Sequence, residues 1–278
     1  MQTKRTNAEA VAEDYYDSTD ADNFYELVWG GEDIHIGLYE PGLSIFEASR
    51  KTVECMAAGI SSLGPKSKVL DLGAGYGGAA RYLAGSKGCH VTCLNLSEIQ
   101  NQRNRELNKQ QKLDALIDVK HGSFEKIPCE DSSYDLIWSQ DAFLHSGSKP
   151  KVVDEINRVL KPGGEVVFTD PMQSDTCPEG VLKAVYDRLS LDSLASPGFY
   201  RKSFNALGYE EAAYLELTGQ LRTHYATVRL SLQTRYDELS AYISKAYLDR
   251  MIDGLGHWVK AADQSYLAWG ILHFRKAG

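Results

Sequence analysis

The run VLDLGAGYGG at residues 69–78 constrains the fold more than any other feature of the chain. It leads an apolar, strand-like segment directly into a glycine-rich turn that opens a helix-like segment. Gly73, Gly75 and Gly77 lack the Cβ atom that would keep a ligand away from the backbone. An ordinary strand-to-helix turn does not need this spacing, so the run predicts a site for a nucleotide-like cofactor.

Short strand-like runs alternate with longer helix-like runs through the middle of the sequence. This alternation is typical of an α/β fold in which helices cover both faces of a mostly parallel sheet. The Lys-Pro-Gly-Gly sequence at 161–164 indicates a helix stop followed by a turn. The predicted strands are 68–72, 90–94, 117–121, 134–139, 165–170, 209–215 and 265–275.

Two stretches are too long to be ordinary connections in such a sheet. One precedes the first strand and contains the aromatic run NFYELVWGG, which predicts an N-terminal helical lid over residues 1–64. The other has helical periodicity and many aromatic residues, which predicts an inserted helical cap over 218–264. The cofactor-binding α/β core would then cover 65–217, with a final core strand in 265–278.

Composition and charge limit the classes of molecule that the chain is expected to bind. The 278 residues carry a formal net charge of -8 and no basic tract, which disfavours nucleic acid and anionic lipid. We find no apolar run of the roughly 20 residues that a membrane span needs, and the N-terminus lacks a signal-peptide pattern, so we expect a cytoplasmic location. The five cysteines have no Cys-x-x-Cys spacing, and no other cluster suggests a metal. We therefore expect a small-molecule partner and no metal.

Loops that follow the strands should form the cofactor site, because ligands of doubly wound sheets lie beyond the carboxyl ends of the strands. The glycines follow a Gly-x-Gly-x-Gly spacing rather than the Gly-x-Gly-x-x-Gly of dinucleotide enzymes. The cofactor contacts predicted from these loops are Gly73, Ala74, Gly75, Asn95, Leu96, Ser123, Phe124 and Gln140, and Asp71 and Gln100 are further predicted contacts.

With its preceding Leu-Asp-Leu, the turn resembles the first motif of class I methyltransferases that use S-adenosylmethionine. The segments YYD, FYELVWGGEDIHIG, SQDAFLH, LKPGG and TDPM resemble the sarcosine/dimethylglycine N-methyltransferases over nearly the whole chain. That family is similar to the phosphoethanolamine methyltransferases and, more distantly, to the cyclopropane fatty acid synthases. The resemblance implies a Rossmann-like sheet with an antiparallel last strand. It also implies methyl transfer to sarcosine and then dimethylglycine, giving glycine betaine and S-adenosylhomocysteine.

Two positions depart from the wider class. Asn95 replaces the acidic residue that usually binds the ribose hydroxyls, so Gln100, which matches a glutamine of the cyclopropane synthases, would share that role. Ser123 replaces an aspartate near the adenine amino group, while Phe124 can cover the adenine face. We therefore expect adenine recognition to depend on backbone groups. In the alternative interpretation, Asn95 and Ser123 simply end their strands.

Methyl transfer to an amine requires a neutral nitrogen, and His145 is the candidate group that can take up its proton. The resemblance to the phosphoethanolamine enzymes pairs this histidine with a lid tyrosine, which we align with Tyr25. Asp141 in the same loop would orient the substrate nitrogen. The alternatives are a structural histidine and an aspartate that caps the following turn.

The remaining candidates surround the methylated amine and the cofactor's amino-acid end. An aromatic and apolar pocket would hold the ammonium by cation–π attraction, and Arg201 would bind the substrate carboxylate unless it is a surface arginine. His35 occupies the place of a cofactor-contacting tyrosine in the cyclopropane synthases, and Tyr16 and Trp29 are further predicted cofactor contacts. The pocket candidates are Trp29, Tyr39, Met172 and Tyr200, which as aromatic or apolar residues could equally belong to the core.

Two other functions remain open on the sequence alone. One is methylation of another small amine such as phosphoethanolamine, and the other is a noncatalytic cofactor-binding module. Cyclopropane-type lipid chemistry is disfavoured, because Leu144 stands where those enzymes carry a glutamate. The sequence makes no prediction about the oligomeric state.

Overall fold

A seven-stranded sheet forms the centre of the computed structural model, which describes residues 10, 13, 15–189, 191 and 193–278. Residues 1–9, on which the signal-peptide prediction depends, lie outside that set. The strands of the sheet are β1 (Lys68–Leu72), β2 (His90–Asn95), β3 (Ile117–His121), β4 (Tyr134–Gln140), β5 (Leu160–Thr169), β7 (Tyr209–Glu216) and β9 (Gly270–Lys276). The short strands β6 (Met172–Gln173) and β8 (Leu267–Ala268) form a separate two-stranded sheet.

The strand order is β3-β2-β1-β4-β5-β9-β7, and β9 runs antiparallel to both of its neighbours. The predicted mostly parallel sheet with an antiparallel last strand is therefore confirmed. Chain order reverses between β1 and β4, where Val69 pairs with Leu136 on one side and with Val91 on the other. This reversal is the topological switch point, where ligands of such sheets bind.

Helices cover both faces of the sheet because alternate strand residues point to opposite sides. Val69 packs with Val53 and Leu83 on one face, and Leu70 packs in the cluster of Ile156 on the other. The α-helices are α1 (Thr19–Phe24), α2 (Ile45–Ala58), α3 (Gly78–Lys87), α4 (Glu98–Gln110), α5 (Lys149–Val159), α6 (Lys183–Leu189), α7 (Pro197–Ala206), α8 (Thr218–Thr234), α9 (Tyr236–Leu239) and α10 (Lys245–Asp263).

Two predicted strands differ from the structure by several residues, and other strand ends differ by one. β5 begins at Leu160 rather than at Glu165, because the Lys-Pro-Gly-Gly segment stays in the strand and produces a shift of register against β4. The predicted final strand 265–275 is divided at Trp269. There the backbone N–H donates to Thr218 Oγ1, and β8 turns away to pair with β6.

A third layer is made of helices from both ends of the chain. α1, α8 and α10 share an apolar cluster with a π-helical turn, Tyr25–Trp29. Tyr76 of the glycine-rich turn belongs to the same cluster, so this layer lies against the carboxyl end of β1. The division of the chain into a lid, a core and a cap stays a prediction. Across the described ranges, no helix is both long and apolar enough to span a membrane.

Candidate active site

A crevice lies at the carboxyl ends of β1, β2 and β4, at the switch point. It consists of two cavities that share Ile34, Gly73 and Gln140 as wall residues. Ligands of doubly wound sheets bind at this position, beyond the carboxyl ends of the strands at the switch point. The glycine-rich turn therefore lines a concavity where a ligand of such a sheet is expected.

The glycine-rich turn needs its glycines. Gly73, Gly75 and Gly77 have φ values of 74°, 53° and 77°, which lie in the left-handed region. A Cβ atom on Gly73 would also collide with the Cβ of Ala142, and one on Gly77 would collide with the side chain of Asn104. The turn therefore requires glycine both for its conformation and for its close packing against the loop after β4 and helix α4.

Most predicted cofactor contacts line one of the two cavities. Trp29 and Ser123 do not: the Trp29 indole donates to His35 O (3.0 Å) within the helical layer, and Ser123 Oγ accepts from Glu125 N (3.0 Å). The predicted contacts in the walls are Tyr16, His35, Asp71, Gly73, Ala74, Gly75, Asn95, Leu96, Gln100, Phe124 and Gln140.

Two side-chain amides present donors to the crevice. Gln100 Oε1 accepts from Asn95 Nδ2 (2.9 Å), and Gln140 Oε1 accepts from Trp138 Nε1 (3.0 Å). The Nε2 atom of each glutamine is buried and has no hydrogen-bond partner among the described residues. A buried donor without a partner costs free energy, so both amides fit a ligand that brings oxygen acceptors.

The smaller cavity is acidic. Asp33 and Asp71 are 2% and 3% exposed and lie near His35. Burial raises the pKa of Asp71 to about 7; the charge of His35 lowers it and that of Asp33 raises it. Arg50 Nη2 lies 2.8 Å from Asp33 Oδ2, so the Asp33 carboxyl is paired with a guanidinium of the protein. This end of the crevice therefore suits a ligand ammonium group.

His145 reaches the larger cavity from a 3-10 turn, Phe143–His145, that follows β4. Its Nε2 is 3.0 Å from the hydroxyl oxygen of Tyr16. The tyrosine within hydrogen-bond distance of His145 is therefore Tyr16, whereas the sequence resemblance aligns the lid tyrosine with Tyr25. Tyr25 is 4% exposed and packs behind, with its ring 5.7 Å from that of Tyr16 and its hydroxyl 3.5 Å from that of Tyr15.

Asp141 connects three parts of the chain. Its Oδ2 accepts from Ile36 N (2.7 Å) and its Oδ1 from Trp269 Nε1 (2.8 Å), while its backbone has a φ of 49°. Burial raises the pKa of this carboxyl, and these hydrogen bonds oppose that rise. In the alternative interpretation Asp141 would cap the following turn, but its hydrogen-bond donors are instead Ile36 N and Trp269 Nε1. Both oxygens already accept a hydrogen bond, so Asp141 organises the wall that it also lines.

The predicted substrate residues lie away from the crevice. Tyr200 and Met172 are buried in the apolar cluster on one sheet face, because α7 packs on that face rather than at the carboxyl edge. Arg201 Nε pairs with Glu211 (2.7 Å), as in its surface alternative. The Tyr39 hydroxyl is 2.9 Å from His224 Nδ1. The pocket candidates Trp29, Tyr39, Met172 and Tyr200, like Arg201, line neither cavity, and their role in substrate binding stays a prediction.

Asp17, Ser97 and Glu125 are polar residues at the crevice that were not predicted as site residues. Asp17 Oδ1 accepts from Ser97 Oγ (2.5 Å), so the residue next to Tyr16 contacts the loop after β2. Glu125 lines the larger cavity and is 9% exposed. Its position two residues after Ser123 was the available signal, because the loop after the third strand faces the site.

Comparison with known proteins defines the family. The model of the family described as "Methyltransferase domain" matches residues 70–168. The sarcosine/dimethylglycine N-methyltransferase of Halorhodospira halochloris is 52% identical over 270 residues, which cover 96% of each chain. The enzyme of the same name from Aphanothece halophytica is 53% identical over 98% of this chain and 99% of its own. This chain belongs to the sarcosine/dimethylglycine N-methyltransferase family.

The family assignment agrees with a solved structure. A candidate sarcosine dimethylglycine methyltransferase from Galdieria sulphuraria superposes with a TM-score of 0.89 and 44% sequence identity. The match covers 95% of this chain and 99% of the other. This member of the N-methyltransferase family therefore shares its fold with that relative over almost its full length.

Proposed function

We propose that the chain transfers methyl groups from S-adenosylmethionine to sarcosine and then to dimethylglycine, forming glycine betaine. Full-length identity to relatives named for both substrates supports the reaction. The observation that carries it in the structure is the Tyr16–His145 pair, which lines the same cavity as the glycine-rich turn. A proton-accepting pair thus lies beside the cofactor site.

The crevice fits S-adenosylmethionine at several points. The buried amide of Gln100 would bind the ribose oxygens, and Phe124 would cover the adenine. Asp71 would bind the ammonium group, and the free Nε2 of Gln140 would donate to the carboxylate. When bound, the cofactor supplies an electrophilic methyl group on a sulfonium. These groups support the proposed binding of the ribose, the adenine ring, the ammonium group and the carboxylate of the cofactor.

The residues at the other end prepare the acceptor. The Tyr16 hydroxyl can donate to His145 Nε2, so a proton leaving the amine can pass to the Tyr16 oxygen while His145 takes up the hydroxyl proton. Aromatic rings of the helical layer pack behind Tyr16 and exclude water. Deprotonation and alignment of a single amine in a dry site account for much of the acceleration expected of such an enzyme.

The direct experiment incubates the purified chain with S-adenosylmethionine and each amine, and follows products by mass spectrometry. We expect dimethylglycine from sarcosine and glycine betaine from dimethylglycine. Product from phosphoethanolamine alone would assign a different amine. Tight binding of S-adenosylhomocysteine without methylation of any small amine would identify a noncatalytic module.

A further inference from the structure

Three buried ionisable side chains that the reaction above does not use converge on the backbone around His145. Asp170 is fully buried, and Lys149 and Glu125 are 8% and 9% exposed. Such side chains are seldom buried unless specific partners hold them. They come from three different elements: the end of β5, the start of α5 and the loop after β3. Their partners therefore indicate what this arrangement stabilises.

Asp170 holds the residue before His145 by its backbone N–H. Its Oδ1 accepts from Leu144 N at 2.9 Å. Its Oδ2 accepts from the hydroxyl of Tyr200 at 2.7 Å, which fixes the orientation of the carboxyl group. Leu144 N thus has a fixed acceptor in the interior instead of a mobile water.

Lys149 holds the same turn by its carbonyl groups. Its Nζ donates to Ser146 O at 3.1 Å and to Ser193 O at 3.0 Å, and it lies 3.5 Å from Leu144 O. The backbone of Leu144 is therefore held on both sides: Asp170 accepts from its N–H, and Lys149 lies next to its C=O. The residue that follows His145 is bound by the same ammonium group.

Glu125 completes the arrangement on the far side of His145. Its Oε1 accepts from Ser146 Oγ and Gly147 N, both at 2.8 Å, and from Ser148 N at 3.2 Å. Charged partners make these hydrogen bonds stronger than neutral ones. Residues 144 and 146–148 are thus fixed by three buried ionisable groups, while His145 itself lines the cavity.

We infer that Asp170, Lys149 and Glu125 are positioning residues that hold the His145 imidazole in line with Tyr16 for methyl transfer. The inference rests on the proposed function, in which His145 takes up the proton of the amine. A misplacement of about 1 Å in such a group can cost on the order of 100-fold in rate. Three independent elements constrain the turn more tightly than its own short 3-10 hydrogen bonds can.

The test replaces the buried charges and separates turnover from binding. In Asp170→Asn and Lys149→Met, we expect kcat to fall by about 10- to 100-fold and the Kd of S-adenosylhomocysteine to change less than about threefold. NMR of histidine labelled with carbon-13, assigned with His145→Gln, should show a shifted or broadened His145 signal. Lys149→Arg, which keeps the charge, should recover part of the loss in kcat.

Glu165→Gln is the matched control, because Glu165 is another buried carboxylate, bonded to His273 Nε2 at 2.6 Å in the middle of β5. We expect this variant to lose stability and to keep kcat within about twofold, as its site is about 16 Å away along the strand. An equal loss of kcat in the control would mean that general destabilisation explains the result.

Further outcomes would decide against the inference or against the proposed function. A folded Asp170→Asn variant with wild-type kcat and an unchanged His145 signal would overturn it. If that variant fails to fold, Tyr200→Phe, which removes only the donor to Asp170 Oδ2, should still lower kcat by about threefold or more and shift the His145 signal. If the unmodified chain shows no methyl transfer, the proposed function fails, whereas the NMR comparison still tests the positioning role.

Discussion

The two ends of the crevice are built differently. The cofactor end is formed by loops that directly follow β1, β2 and β4, so the register of the sheet places its residues. The amine end joins His145 to Tyr16, residues separated by 129 positions, and the helical layer places the tyrosine. Groups placed by a sheet are expected to control cofactor affinity, and groups placed by packed helices to control turnover.

The largest expected effect is at the amine end. His145→Gln removes the group that takes up the proton, so we expect kcat to fall at least about 100-fold while the Kd of S-adenosylhomocysteine changes less than about threefold. Steady-state kinetics and calorimetry measure the two quantities. Tyr25→Phe, whose hydroxyl contacts Tyr15 rather than His145, should have a smaller effect on kcat. Equal losses of kcat and affinity in His145→Gln would show that the two ends are not separable.

The reverse separation is expected at the cofactor end. Asp71→Asn removes the negative charge next to the proposed ammonium site, so we expect S-adenosylhomocysteine to bind about 10- to 100-fold more weakly. At saturating cofactor, kcat should change only a few-fold. Unchanged affinity in a folded Asp71→Asn variant would place the ammonium group elsewhere.

A pH titration sharpens the same comparison. Burial raises the pKa of Asp71 to about 7, so this carboxyl is mostly protonated in the free protein at pH 6. A bound ammonium favours the carboxylate, so binding must release that proton below pH 7. We expect the Kd of S-adenosylhomocysteine to fall as the pH rises from 5 to about 7 and then to level off. Calorimetry in two buffers of different ionisation enthalpy counts the protons, and Asp71→Asn should lose this slope.

The smallest effect is expected far from both ends. Arg201 pairs with Glu211 and stacks on Tyr214 at the surface. Arg201→Ala should therefore change kcat/KM less than twofold and the free energy of unfolding by less than about 1 kcal/mol. A large rise in the KM for sarcosine would return this arginine to the substrate carboxylate.

The sheet was largely predictable from the sequence because its strands are short apolar runs bounded by glycine and proline. The bounds of β1 and β3 were predicted to the residue. The start of β5 and the break at Trp269 were not, since both depend on pairing with distant strands. A local pattern indicates a strand, but its ends are decided by its neighbours.

The residues of the candidate site also fall into a part that the sequence predicted and a part that depends on packing between distant segments. Asn95 and Gln140 were predicted because the carboxyl ends of parallel strands meet at one edge, and Gln100 was predicted from the resemblance to the cyclopropane synthases. The pairing of His145 with Tyr16 instead of Tyr25 depends on how the helical layer packs, which no spacing along the chain specifies. The partners of Glu125 belong to the turn after His145 and were hidden for the same reason.

The two hydrogen bonds of Asp141 also bear on biosynthesis. One donor, Ile36, precedes β1 in the chain, and the other, Trp269, follows α10. A nascent chain can therefore pair β1 to β5 before Trp269 is made, yet the wall around Asp141 closes only once Trp269 is available. Retention of the cofactor should accordingly report synthesis through Trp269 rather than folding of the central sheet.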